Sequence, residues 1–245
     1  AARAAEDDPA ESLQPRSRTA QPICNGRAID AAFNHDGSRL FALCLAGAVS
    51  VHDAQHEDLV QLRTLPFVGG DSHVGNYLLT TGGGLLAAVG GGLGSTRTDA
   101  LARQVRVWRV DEESKQGTEL HTLDLESATD SVAIRPDGEQ FAVGLRSGTI
   151  KVYSRVATQG DEARLVVELD APTPDVDGAS VAVNSVCYSQ DGALLAAGRF
   201  DNSFTVYDMA GVGAPVNVFV LPKSNGFQAA FVGCASLVTG GGSPG

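Results

Sequence analysis

The 245-residue chain is poor in the residues that usually announce chemistry. It has one Met, one Trp (Trp108), five His and only three lysines, Lys115, Lys151 and Lys223, among 18 basic residues. Acids outnumber bases 29 to 18 and leave a net charge of −11. A surface of that sign repels phosphate backbones, so direct nucleic-acid binding is not expected. No apolar run reaches the roughly eighteen residues that a membrane-crossing helix requires. The four cysteines, Cys24, Cys44, Cys187 and Cys234, form no CxxC and no Cys/His pair at zinc-finger spacing, so no structural zinc is expected. They read instead as buried free thiols of a reducing compartment, which fits an intracellular, cytoplasmic location. The chain opens on Ala1 rather than Met, and a targeting segment is expected to lie outside it.

Catalytic patterns are missing as well. There is no GxSxG elbow for a nucleophilic Ser. The acid pairs Asp7-Asp8 and Glu112-Glu113 lie in loops or tails. His52 and His56 are four apart, but a strand-to-loop stretch does not bring such a pair onto one face as a helix would. The most conspicuous segment is "TTGGGLLAAVGGGLGSTRTDALAR", Thr80–Arg103. It holds no Lys and so no P-loop, and neither of its GxG pairs has a Gly three residues on, as a dinucleotide fingerprint needs. It reads as a turn at Gly82–Gly84, with Gly83 at the turn position, and a long flexible loop, Gly90–Arg103, between two strands. No enzyme, no cofactor, no metal and no small-molecule substrate is indicated.

What is present is repetition. "IDAAFNHDG", "SVAIRPDG" and "NSVCYSQDG" end on Gly37, Gly138 and Gly192, and fifteen residues after each Gly come His52, Tyr153 and Tyr207. "YLLTTGGGLLAAVGGG…QVRVWRV" is a fourth copy with about ten extra residues before Trp108, and "GFQAAFVGCASLVTGGG" begins a fifth. Apolar residues alternate on both sides of each turn, as in Ile29/Ala31/Phe33, Val132/Ile134 and Val186/Tyr188, and again in Val49/Val51, Val105/Val107, Ile150/Val152 and Phe204/Val206. A period of two over short runs means β-strand, and Asp-Gly between strands is a tight-turn signal. The runs "VQLRTL", "ELHTLDL", "RLVVELD" and "VNVFVL" supply a fourth strand per unit, with units spaced by 56, 45 and 54 residues from His52 through Trp108 and Tyr153 to Tyr207.

A four-stranded antiparallel unit of about 40–55 residues is the signature of a propeller blade. The units resemble WD repeats, most closely in "VNSVCYSQDGALLAAGRFDNSFTVYD" and "DSVAIRPDGEQFAVGLRSGTIKVYS". The resemblance implies an all-β, WD-repeat-like β-propeller of four-stranded antiparallel blades, part of a seven-bladed ring. Residues 1–24 are expected to be a disordered or extended segment, and residues 25–245 to form about four full blades and one partial blade. A ring of that size implies a fragment, with further blades before residue 25 or after residue 245. Completion by another polypeptide, or a five-bladed ring closed by "QPICNG", are the alternatives. The hydrogen-bonded tetrad of the family is mostly lost: Trp108 is the only Trp, His73 is the candidate His of its blade, and Asp201 holds a turn position that Ala46 and Ser147 fill elsewhere.

The resemblance also implies function at a rim of loops, a scaffold that binds other proteins within a larger multiprotein assembly. The loops between second and third strands carry Arg146, Arg199, Phe200 and Asn202, and the long insertion carries Ser95, Arg97 and Asp99. An exposed Phe between Arg and Asp has the composition of an interface anchor, though Phe200 could equally pack on its own blade. The loop Asp170–Ser180 is a second candidate, acidic and proline-containing. The Gly-rich segment is also similar to that of the endoplasmic-reticulum exchange factors for the coat-forming small GTPase: a small-residue strand, a glycine run, a polar loop and a strand ending in "WRV". That resemblance implies a loop, Gly90–Arg103, that binds a potassium ion and a small GTPase. The third alternative is the propeller domain of a larger enzyme.

Overall fold

The computed structural model describes residues 23–24, 28–34, 36–44, 48–55, 59–66, 77–82, 84–90, 103–110, 118–155, 162–170, 181–201, 203–210, 214–220, 225–232 and 236–242. Four antiparallel sheets of four strands follow one another along the chain, each strand paired with its sequence neighbour. The first is β1 (Ala28–Phe33), β2 (Arg39–Cys44), β3 (Ala48–Asp53) and β4 (Val60–Pro66). The second is β5 (Tyr77–Gly82), β6 (Leu85–Gly90), β7 (Gln104–Arg109) and β8 (Thr118–Asp124). The third is β9 (Thr129–Ile134), β10 (Gln140–Leu145), β11 (Ile150–Ser154) and β12 (Leu165–Leu169). The fourth is β13 (Val183–Tyr188), β14 (Leu194–Arg199), β15 (Ser203–Asp208) and β16 (Ala214–Val220). A two-stranded sheet, β17 (Asn225–Val232) with β18 (Ser236–Gly242), comes last.

Three of the first turns are copies of one another. In each, a glycine N–H donates to the carbonyl three residues back: Gly37 to Asn34, Gly138 to Arg135 and Gly192 to Ser189. The Asp before each glycine accepts the N–H two residues on: Asp36 from Ser38, Asp137 from Glu139 and Asp191 from Ala193, at 2.8–3.0 Å. The glycines then take φ of 72–74°, a region closed to most side chains. The Asp-Gly pair is thus the second half of a four-residue turn closed by a left-handed residue, not a two-residue hairpin loop. In the second sheet the described left-handed residue is Gly84, at φ 74°, one position later than the Gly83 expected there. Gly83 itself lies outside the described residues.

The sheets stack in series. The inner strands pack β1 on β5, β5 on β9, β9 on β13 and β13 on β17. Phe41, Leu43, Val49 and Val51 of the first sheet bury Leu86, Ala88 and Trp108 of the second. Leu85, Ala87, Val105 and Val107 on the second's other face cover Val132, Ile134, Phe141 and Val143 of the third. Ala133, Ala142 and Val152 then meet Val186, Tyr188 and Leu195 of the fourth. Successive side chains point to opposite faces of a strand, so each sheet shares its apolar residues between two interfaces. This is why the sequence runs "LLAA" and "FAV" rather than alternating strictly with polar residues. Phe141 stacks on Tyr153 with ring centroids 5.4 Å apart.

One expectation needs correction. Cys24 and Cys44 are joined in a disulfide with Cα atoms 5.7 Å apart, so they are not free thiols. Cys234 lies outside the described residues. Ile23 and Cys24 sit on the first sheet, where the Ile23 carbonyl is 2.9 Å from His52 Nε2 and Cys24 is buried against Ala42 and Cys44. Residues 1–22 lie outside the described residues.

Candidate interaction surface

The end of each sheet that carries the turn between its second and third strands forms the candidate rim. Eight residues after the turn glycine stand Arg146 in the third sheet and Phe200 in the fourth, equivalent places in neighbouring units. Their backbones agree: the Arg146 N–H donates to the Ala128 carbonyl at 2.8 Å and the Phe200 N–H to the Ala182 carbonyl at 3.2 Å. Gly144 presses against Val183, so close that a Cβ would overlap it, and this brings the rim end of β10 against the first residue of β13. Arg146 and Phe200 therefore flank one junction between sheets.

Their side chains differ in kind. Arg146 forms a bidentate pair with Asp130, Nε to Oδ2 at 2.6 Å and the second guanidinium nitrogen to Oδ1 at 2.8 Å. That hydrogen bond outweighs the burial that opposes the charge and raises the guanidinium's pKa further. Asp130 reaches the rim because it is the residue skipped where β9 and β10 slip register between Gly144 and Leu145. Nearby, Lys151 holds Glu126 at 2.7 Å and Glu168 at 3.1 Å, and its pKa is raised, chiefly by the bond to Glu126. Phe200 is 46% exposed, and Asp201 next to it is occupied in accepting the Ser203 N–H at 2.8 Å. Both cations named at this junction, Arg146 and Lys151, are thus paired with carboxylates, and Phe200 is a partly exposed aromatic there.

Arg199 does not belong to that surface. It is 1% exposed. As the last residue of β14 it points into the sheet interface, and the next residue, Phe200, points out. Its guanidinium donates to Thr205 Oγ1 and Tyr207 Oη, both at 2.8 Å, and Tyr207 Oη donates to the Asp170 carbonyl at 3.0 Å. Its Nε has no acceptor. Sequence reading saw an Arg next to a rim Phe; the alternation of the strand settles that one is inside and the other outside. Asp130, Thr205 and Tyr207 were missed as partners, because a counter-ion sixteen residues away and a hydroxyl across a strand leave no local pattern.

The remaining expected residues divide the same way. Asn202, Ser95, Arg97, Asp99 and His73 lie outside the described residues, as do most of the Gly90–Arg103 loop and the stretch 171–180. Trp108 is buried between the first two sheets. Gly37, Gly138 and Gly192 hold the turns already described. Among the described residues, no group of three or more His, Cys, Asp or Glu could hold a metal ion.

Comparison with known proteins agrees with this geometry. The family model for the WD domain, G-beta repeat, matches residues 172–208, which contain β13 to β15. The mouse protein WD repeat-containing protein 1 is 38% identical over 89 residues, 36% of this chain and 13% of that protein. Among solved structures, the β-propeller domain of Cps50 (Swd1) from Myceliophteria thermophila superposes with a TM-score of 0.66 at 14% identity, covering 89% of this chain and 63% of that one. KlAtg21, solved in complex with the coiled-coil of AgAtg16, gives 0.67 at 18% identity, covering 89% and 64%. The chain thus spans less than two thirds of each. Its repeated turns, its four-stranded sheets stacked in series and these likenesses show a β-propeller fold with a WD repeat at residues 172–208.

Proposed function

We propose that this propeller is a non-enzymatic platform for protein–protein interaction, a subunit of a larger assembly, and that the junction between the third and fourth sheets is its contact surface. One observation carries the reading: Phe200 is 46% exposed directly after the buried Arg199 that ends β14, at a rim where Arg146 is already paired with Asp130. A rim with paired charges and a partly exposed aromatic gains affinity by burying that ring, and buried aromatics are the side chains on which interfaces most often depend. WD propellers commonly bind other proteins, and one structural neighbour is solved on a coiled coil. Regulation of a small GTPase through Gly90–Arg103, and a role inside a larger enzyme, have no such observation behind them among the described residues.

The test is affinity capture from the source organism, comparing the unaltered chain with Phe200→Ala and Arg146→Ala under quantitative mass spectrometry. Specific co-purifying proteins should fall at least tenfold with Phe200→Ala while the thermal midpoint stays within a degree or two. Capture unchanged by Phe200→Ala would move the interaction to another face.

A further inference from the structure

We propose that the outer edge of the third sheet is a self-association surface, and that its occupant is the same strand of a second copy of this chain, paired antiparallel. This surface is separate from the rim. β12 ends the strand order of its sheet and pairs with β11 alone among the described residues. The far edge of such a strand presents backbone N–H and C=O groups with no ladder partner, and proteins guard such edges with charge, proline or a covering element. The guard can be compared unit by unit, at the place across from His52, Trp108, Tyr153 and Tyr207. Three sheets put Gln61, Glu119 and Pro215 there, and the third sheet puts Leu165. Leu165 is 48% exposed and Val166 beside it 50%. In β8, by contrast, no residue from Glu119 to Leu123 is exposed, and Leu120, in the place of Val166, is buried. The bulge that skips Val166 recurs in all four sheets, so it belongs to the unit and does not guard this edge in particular.

The occupant follows from the charges along the edge. Two copies of Arg164–Asp170 laid antiparallel about Val167 set Arg164 opposite Asp170, Leu165 opposite Leu169, Val166 opposite Glu168 and Val167 opposite itself. Under the two-fold symmetry of such a pair, every contact off the axis forms twice. No like charges meet in this register, and cross-strand pairs of opposite charge stabilise an antiparallel ladder while like charges directly opposite weaken it. The charged ends are within reach of a second copy. Arg164 and Asp170 are exposed, Arg164 has no carboxylate partner among the described residues, and Asp170 Oδ1 accepts from the Thr149 hydroxyl at 3.4 Å. Glu168 keeps its bond to Lys151 and brings no uncompensated charge to the edge. The strand is also fixed before a partner arrives. The Arg164 carbonyl accepts from the Ser154 N–H and the Arg164 N–H donates to Ser154 Oγ at one end, and the Asp170 carbonyl accepts from Tyr207 Oη at the other. Pairing therefore orders no new backbone.

Sedimentation equilibrium of the chain and three variants tests this. The unaltered chain should reach twice 25.3 kDa at high concentration and fall to 25.3 kDa on dilution. Arg164→Asp alone sets acid against acid and Asp170→Arg alone sets base against base, so each should weaken the dimer by roughly tenfold or more. The double variant, Arg164→Asp with Asp170→Arg, exchanges the charges and should restore the dimer, which a merely structural role for either side chain would not do. Amide hydrogen exchange of the unaltered chain gives a reading free of substitution: exchange across residues 164–170 should slow severalfold as concentration rises. A monomer at every concentration, single variants that associate like the unaltered chain, a double variant as weak as the single ones, or exchange independent of concentration would each overturn the proposal.

Discussion

Arg199 and Tyr188 are both buried with polar atoms left over, and they predict opposite responses. Arg199 has two neutral hydroxyl acceptors, no carboxylate partner among the described residues and a bare Nε. Removing the side chain leaves a cavity and takes a donor from the Thr205 and Tyr207 hydroxyls, so Arg199→Ala should lower stability by about 3 kcal/mol in denaturant titration. Arg199→Met fills the same space without the desolvated charge and should recover most of that loss. A Met variant as weak as the Ala variant would mean that the guanidinium's hydrogen bonds outweigh its desolvation. Tyr188 Oη has no partner. Burial raises the hydroxyl's pKa, with Arg135 opposing the shift. The unfolded chain therefore ionises first as pH rises past about 10, and stability falls from there upward. Tyr188→Phe should flatten that alkaline limb and cost nothing near neutrality, since it removes an unsatisfied hydroxyl. Neither residue's environment was legible in the sequence. Both sit in alternating runs that fix a strand, yet what a buried polar atom touches depends on the neighbouring strand and sheet.

Elements were far easier to read. The four strands of every unit and the first turns follow from a period-two pattern punctuated by Asp-Gly, which is local chemistry. What escaped was finer. The turns enclose four residues rather than two, and this is visible only once the Asn34, Arg135 and Ser189 carbonyls are seen accepting from the glycines. The turns also differ in their surroundings. A Cβ on Gly37 would meet nothing within 4 Å, whereas one on Gly192 would lie 2.9 Å from Arg135 Cγ. Gly37→Ala should therefore cost only the backbone strain, about 1 kcal/mol, and Gly192→Ala more than that by thermal or chemical unfolding. The disulfide escaped for another reason: Cys24 had no strand pattern around it and so no assigned place. Closing a loop of 20 residues should stabilise the fold by about 3 kcal/mol on the chain-entropy model. Reductant should lower the unfolding midpoint, and Cys44→Ser should show no further response to reductant. Mass mapping without reductant reports whether the native protein has met the oxidising conditions such a bond needs.

Taken whole, the described residues are sheets stacked in series, each contacting its immediate neighbours, in a chain with a net charge of −11. Like charges spread over a compact surface repel, and salt within the physiological range screens them beyond about 8 Å. The thermal midpoint should rise by a few degrees between very low salt and 0.15 M. A fall would mean that pairs such as Arg146–Asp130 and those of Lys151 outweigh the general repulsion. The stacking order was legible because each unit repeats the last. The rim has a consequence of its own. The place eight residues past each turn glycine holds an Arg in one unit and a Phe in the next over the same backbone hydrogen bond, so the side chain there is a free variable. Such a position can be rewritten unit by unit, changing whom the protein meets while leaving the part that folds unaltered.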